Sequence, residues 1–207
     1  MSSKSKLIIN CGATHVSASE FGVSAGRLVL ESFQVQELKY DYSNQEEWLS
    51  ELAATLKMMR VSGKATVIAP SMLLLTKTIK IPHVDEARRA EVIQFEAEKN
   101  IPYPINEVSW DYEIISDDGV ETEIFLTSMK STAADDFCMA LSQAGVIPES
   151  IEASSILDYN AWKYCGLEND VILLNVGSRF TNLMIAREDG VFVRSIPVGG
   201  NSITQAV

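Results

Sequence analysis

Apolar positions along the chain fall into two kinds of run. Short Val/Ile/Leu blocks closed by Gly, Asn, Asp or Pro read as strands, and longer runs with apolar residues three and four apart read as helices. Leu7 to Cys11 is the first strand, closed by Gly12-Ala13-Thr14. His15 to Phe21 alternates as a second strand, Gly22–Gly26 reads as a turn, and Arg27 to Val35 is a third strand. A helix is then expected. Ser43 and Glu46 spell an S-x-x-E capping box, whose side chains satisfy the free N–H groups of a first turn. Leu49, Leu52, Leu56 and Met59 follow at helical spacing, and Gly63 is a natural stop. Ala65 to Ala69 is a strand bounded by Pro70.

The middle of the chain predicts a strand over Leu73–Ile81 and a charged helix over Asp85–Lys99, with Ala90, Ile93 and Ala97 on one face. Asn100-Ile101-Pro102-Tyr103-Pro104-Ile105 cannot continue that helix, because two prolines remove donors and push the residues before them to extended geometry. Val108–Ile115 and Val120–Met129 pair as a hairpin through Asp117-Asp118-Gly119. Thr132 caps a helix carrying Phe137, Leu141 and Ala144, stopped at Gly145. Ile147–Ala153 is a short strand, and Ser154 or Ser155 caps a helix that runs to Cys165. Three strands close the chain, Val171–Val176, Phe180–Arg187 and Val191–Val198, with a Glu188-Asp189-Gly190 turn between the last two. Gly199-Gly200-Asn201 opens a final helix.

The 207 residues are 46% hydrophobic and 22% charged, so disorder and low-complexity states are excluded as the main form. A formal net charge of −11 repels polyanions, which argues against nucleic acid as a partner. Cys11, Cys138 and Cys165 are odd in number and contain no CxxC, so free thiols are expected rather than a disulfide framework or a zinc knuckle. The apolar run at Leu7–Ile9 is too short for a signal peptide, and no stretch of 18 apolar residues exists to span a membrane. A cytoplasmic protein is expected.

The last part of the chain repeats the first. Ile8-Ile9-Asn10-Cys11-Gly12-Ala13 aligns with Leu173-Leu174-Asn175-Val176-Gly177-Ser178, each a strand ending in Asn-x-Gly-small and followed by two more strands. A glycine lets backbone approach a ligand closely, and successive N–H groups at a tight hairpin form an anion-sized nest. Two such loops can clamp a polyphosphate; read singly, Gly12 and Gly177 are more simply hairpin glycines.

These paired loops resemble the phosphate 1 and phosphate 2 hairpins of the actin/Hsp70/sugar-kinase superfamily. Ile81-Pro82, then Glu96-Ala97-Glu98-Lys99-Asn100-Ile101-Pro102-Tyr103-Pro104-Ile105-Asn106-Glu107-Val108 and Asp111-Tyr112, resemble the "lP…E…EA.k.IP.PieeV" segment of type IV pilus assembly PilM proteins. Ile196-Pro197-Val198-Gly199-Gly200-Asn201-Ser202-Ile203-Thr204 resembles the "iP.GG..iT" segment of the same family, which is related to the cell-division protein FtsA. The resemblance runs from about Leu7 to Val207.

It implies an α/β chain with α+β elements and the FtsA/PilM variant of the actin-like ATPase fold. Residues 1–70 and 152–168 would form subdomain 1A, residues 71–151 an inserted subdomain 1C, and residues 169–207 the truncated beginning of subdomain 2A. The family's phosphate-binding positions map to Asn10, Gly12, Ala13, Thr14, Ser17, Asn175, Gly177, Ser178, Gly199 and Gly200. Family members carry Asp where this chain has Asn10 and Asn175, and Lys where it has Ser17. An amide is a poor substitute for a carboxylate that holds hydrated Mg²⁺, and Ser cannot replace a point charge on phosphate. The cleft reads as shaped but stripped of charge; the other reading keeps Asn as an orienter of metal-bound water with weak ATP binding. No catalytic residue and no metal ligand is expected. No cofactor is expected in this chain, ATP and magnesium being reserved for a longer form, because the sequence stops before the family's second adenine-contacting region.

The resemblance also implies a partner, the cytoplasmic N-terminal peptide of a PilN-like inner-membrane protein, and by extension other pilus assembly proteins. The family's peptide groove lies where 1A and 1C meet, and Ile101, Tyr103 and Ile105 are its candidate lining here; the same three side chains would otherwise pack into 1C. His15 and His83 lack metal spacing, Cys11 sits in a core pattern, and Glu152 is either a water-orienting or a capping carboxylate. Two function classes follow: a peptide-binding adaptor, cytoplasmic and peripheral at the inner membrane, or a working Mg-ATPase whose lobes respond to nucleotide. Sugar-kinase activity is weaker than either, because no Asp is placed as a general base. Asn10, Ser17 and Asn175 favour the adaptor.

Overall fold

A computed structural model describes residues 5–41, 44–166, 170–187 and 190–206. The elements run β1 (Lys6–Cys11), β2 (His15–Ser24), β3 (Arg27–Glu37), α1 (Gln45–Met58), β4 (Gly63–Ala69), β5 (Leu75–Pro82), α2 (Glu86–Asn100), β6 (Val108–Asp117), β7 (Glu121–Lys130), α3 (Ser131–Gln143), β8 (Val146–Ala153), α4 (Ser154–Tyr164), β9 (Val171–Val176), β10 (Thr181–Arg187), β11 (Gly190–Ile196) and α5 (Gly200–Ala206). They divide into two units. The first takes residues 1–72 and 135–152, the second residues 73–134 and 153–207.

The first unit is built on a five-stranded sheet of order β3-β2-β1-β4-β8. β1 runs antiparallel to β2 and parallel to β4. Alternation along the strands sends Ile9, Cys11, Val16, Ala18 and Val67 to one face, where all are buried. α1 lies against β2, and Trp48 of α1 stacks on Phe137 of α3 with ring centroids 5.9 Å apart. The expected turn at Gly22–Gly26 is tighter than the sequence suggested. β2 continues through Gly22, which pairs with Val29, and the chain reverses at Ala25-Gly26, both at positive φ (51° and 74°). Two such residues give the primed turn that matches strand twist. The register shifts between Glu20 and Phe21, so Glu31 bulges from β3. Its carboxylate lies over Gly22, where there is no Cβ to obstruct it, and accepts a 2.7 Å bond from Ser5 Oγ.

The start of α1 also differs from expectation by one residue. Ser43 lies outside the described residues. Asn44 is the N-cap, and its Oδ1 accepts from Glu46 N at 3.1 Å and Glu47 N at 3.3 Å. Glu47 answers at N3, accepting from Asn44 Nδ2 at 3.0 Å and from Asp41 N at 3.1 Å. Asn44 therefore caps the helix, and Glu47 closes back on its side chain and on Asp41 N in place of the reciprocal bond to the N-cap N–H.

The second unit holds two three-stranded sheets, β5-β7-β6 and β11-β10-β9. α2 presents Ile93, Ala97 and the following Ile101 to Ile79, Ile81, Ile124 and Leu126. The next residue along β7, Phe125, points the other way, into a core shared by Ile156 and Tyr159 of α4 with Met184, Ala186, Val191 and Val193. The two sheets meet at a buried carboxylate: both oxygens of Glu123 lie 3.1 Å from Val191 N. The Glu188-Asp189 part of the expected β10–β11 turn lies outside the described residues.

The partition differs from the sequence reading in two places. Most of α3, with β8, belongs to the first unit instead of a contiguous insert over 71–151. Gly63 N donates to Gly145 O at 2.9 Å, Lys64 pairs with Glu149 at 3.0 Å, and β8 sits beside β4. α4, assigned to 1A, buries its apolar side against β10. A helical repeat announces an apolar face but not the sheet that will cover it. The expected serine caps of α4 are also displaced. Ala153 is its N-cap, and Ser154 Oγ instead accepts from Asn182 Nδ2 at 2.7 Å.

Candidate functional site

The two Asn-x-Gly loops fold alike. Gly12 N donates to His15 O at 2.8 Å, and Gly177 N donates to Phe180 O at 2.9 Å. In both, a Cβ on the glycine would stand 2.8 or 2.9 Å from that same carbonyl oxygen, so only glycine closes the turn.

The first loop is held by its carbonyls. Trp48 Nε1 donates to Gly12 O at 3.2 Å, Tyr40 Oη to Ala13 O at 2.6 Å, and Leu38 N to Thr14 O at 2.8 Å. Three donors from α1 and the segment before it thus fix the loop from behind, and the Thr14 side chain is buried beside His15, with Oγ1 and Nδ1 2.9 Å apart. Asn10 and Ser17 are direct cross-strand partners, Asn10 exposed and Ser17 half-buried. The two positions where the family carries opposite charges are therefore adjacent here and both neutral.

The second loop is held by the residues before and at the start of α5. Gly200 N donates to Gly177 O at 2.8 Å and Asn201 N to Ser178 O at 2.9 Å. Gly199 is buried against the loop, and a Cβ there would lie 2.6 Å from Arg179 N, Gly177 O and the Ser178 carbonyl carbon. The Gly-Gly pair and the Asn-x-Gly turn, far apart in sequence, thus form one backbone cradle.

Sequence reasoning missed one residue here, Asp158 of α4. Asn175 Nδ2 donates to its two carboxylate oxygens at 3.0 and 3.2 Å. Burial raises the Asp158 carboxyl above its ordinary value, and hydrogen bonds from Asn175 and Asn182 oppose that rise. Asn182, buried and directly opposite Asn175, accepts from Ser195 Oγ at 2.7 Å. The available signal was the i,i+4 spacing of Ser154 and Asp158, which puts both on one side of the helix. The second loop therefore has a carboxylate, Asp158, one hydrogen bond behind Asn175.

The loops are backbone cradles with small residues at their tips, while Asn10 and Ser17 add no charge. Among the described residues no group of three or more His, Cys, Asp or Glu side chains is placed to hold a metal. Burial pushes the Cys11 thiol far above its ordinary value, consistent with a core residue instead of a nucleophile. Glu152 is half-buried in β8, and His83 lies 2.7 Å from Asp117 at the β6–β7 turn, so neither joins the loops.

The Asp158 arrangement predicts the response to restoring an aspartate. Asn175→Asp places a second carboxylate against Asp158, removes two hydrogen bonds and raises the carboxyl pair further. A folded-state carboxyl pKa above the unfolded one favours folding below the unfolded pKa and loses that contribution as pH rises through the folded value. The variant should be about 1 kcal/mol less stable than the parent at pH 7, with the deficit shrinking towards pH 4. Adding Asp158→Asn should recover most of it. Thermal melts of the four combinations at both pH values measure this, and a pH-independent deficit would show that the two groups do not interact.

Of the proposed peptide-groove residues, Ile101 is only 4% exposed and lies in the core under α2. Ile105 is half-buried and packs against the same core. Both are corrected to packing residues: the helix ends at Asn100 as expected, but the crossing bends over residues 101–103 and enters a single 3-10 turn at Ile105–Glu107 instead of running extended, and its isoleucines turn inward. Tyr103 is 42% exposed, with Lys130 Nζ 4.3 Å from its ring centroid.

Comparison with known proteins now fits this geometry. A chain of a PilM-PilN type IV pilus biogenesis complex has the same fold, with a TM-score of 0.79 and 20% identity over 98% of this chain. This chain spans 64% of the length of that one. A protein with actin-like ATPase fold from Bacteroides thetaiotaomicron matches with TM-score 0.56 and 8% identity, over 98% of this chain and 74% of its own. The cytoplasmic domain of EpsL, an inner-membrane component of the Vibrio cholerae type II secretion system, matches with TM-score 0.51 and 9% identity, over 92% of this chain and 71% of its own. No curated protein sequence matches. The family model of type IV pilus assembly protein PilM matches residues 9–207, and with its paired hairpin loops and actin-like fold the chain belongs to that family.

Proposed function

We propose that the chain acts as a peptide-binding adaptor in type IV pilus assembly or a related secretion machine. In this reading it sits in the cytoplasm, peripheral to the inner membrane, and binds the N-terminal segment of a PilN-like membrane protein. The observation that carries the proposal is family membership over residues 9–207, supported by a fold shared with the PilM-PilN complex. The neutral Asn10–Ser17 pair supports an adaptor over a working Mg-ATPase. ATP and magnesium belong to the alternative reading, a working Mg-ATPase whose glycine cradles would receive phosphate. The net charge of −11 favours a partner segment carrying Lys or Arg, which is common just inside a bacterial inner membrane.

Of the three candidate anchors only Tyr103 keeps an accessible side chain. Calorimetry with the cytoplasmic N-terminal peptide of the cognate PilN-like protein should show binding to this chain and to a longer form. Tyr103→Ala should weaken it about tenfold, the usual effect of losing an aromatic anchor, with unchanged circular dichroism. Unchanged affinity would remove Tyr103 from the binding surface. No binding to either form would end the adaptor reading.

A further inference from the structure

β3 is an edge strand of the first sheet, 11 residues long, and its outward face is apolar. Leu28, Leu30, Phe33 and Val35 are 70%, 52%, 58% and 50% exposed. An edge of this kind invites strand addition unless charge, proline or a bulge blunts it. β3 has a bulge, but its effect on the side-chain pattern is unusual.

Up to Leu30 the exposed face carries the even positions; after Glu31 it carries the odd ones. The register establishes this: Leu28, Leu30, Phe33 and Val35 lie opposite Val23, Phe21, Ser19 and Ser17, whereas Gln34 and Gln36 lie opposite the buried Ala18 and Val16. The reversal makes the strand complementary to itself when read backwards. Laid antiparallel to a second β3 with Glu31 opposite Ser32, Leu28 meets Val35 and Leu30 meets Phe33, on the same face each time. Arg27 meets Gln36 and Val29 meets Gln34 on the other face. Without the bulge, this pairing would put apolar residues on one side against polar residues on the other.

We propose that β3 pairs antiparallel with β3 of a second copy about a two-fold axis between Glu31 and Ser32, joining two sheets into one. The occupant is fixed by this match of side chains in both directions, the signature of an isologous interface. Each copy carries a net charge of −11, so the two copies repel and association should strengthen with salt. The inference concerns self-association and stands apart from peptide binding, which the Tyr103 experiment reads separately.

Sedimentation equilibrium of the full chain, over a concentration series and at low and high salt, should show a reversible dimer. Phe33→Lys and Leu30→Lys should each weaken it at least about tenfold. Leu174→Lys, on the exposed face of β9, should leave it unchanged. The register has its own readout. With Cys138 and Cys165 replaced by serine, copies carrying Leu28→Cys should cross-link to copies carrying Val35→Cys, and neither to its own kind. A monomer at every concentration, a dimer insensitive to Phe33→Lys and Leu30→Lys, or self-cross-linking of Leu28→Cys would each overturn the proposal.

Discussion

Trp48→Ala should be the most destabilising single change in the first unit, at about 4 kcal/mol. Trp48 is fully buried, stacks on Phe137, and donates its indole N–H to Gly12 O. Truncation leaves a cavity between α1 and α3 and removes one of the three donors behind the first loop. Trp48→Phe keeps most of the ring and loses only the N–H, so it should cost about 1–2 kcal/mol. Amide hydrogen exchange separates the two effects. Trp48→Ala should raise exchange throughout β1 and β4, whereas Trp48→Phe should raise it chiefly around Gly12 and His15. Equal, small losses for both variants would mean that the stack contributes little and the loop does not depend on it.

Gly199→Ala should be nearly as damaging, at about 3 kcal/mol, although it adds a single methyl group. The new Cβ would meet backbone atoms of Gly177, Ser178 and Arg179 at 2.6 Å, and backbone cannot rotate aside as a side chain can. The cradle would have to open, breaking the Gly200–Gly177 and Asn201–Ser178 bonds. The neighbouring Gly200 is the control. A Cβ there meets Gly177 O at 3.7 Å, an ordinary contact, so Gly200→Ala should change stability by less than about 1 kcal/mol. Chemical denaturation of the two variants checks the contrast, and equal effects would show that the cradle adjusts freely.

The strands at both ends of the chain were legible because their apolar blocks are short and sharply closed; Val171–Val176 emerges with the expected bounds. The paired loops were legible because Asn-x-Gly recurs with the same following elements. What the sequence concealed depends on the third dimension. Nothing along the chain says that Glu31 will bulge, since the bulge is a property of two strands. Nothing marks α3 and β8 as partners of β4, because Phe137 looks the same whichever tryptophan covers it. Ile101 has the same apolar character whether it faces a groove or a core. Asp158 was concealed for a related reason: its contact with Asn175 joins a helix to a strand, 17 positions apart.

The place of β8 has a consequence for the order in which the protein takes shape. β4 pairs with β1 as soon as both have been made, but its other edge stays open until residues 146–153 exist. Lys64 and Glu149, which meet across that edge, are 85 positions apart. Between them the ribosome must deliver β5 through β7, whose antiparallel ladders close over shorter spans. Long-range parallel closure is slow, and its entropic cost rises only weakly with the length of the intervening loop. The first sheet, though begun at the N-terminus, is therefore finished late, and its open β4 edge must be shielded until β8 arrives.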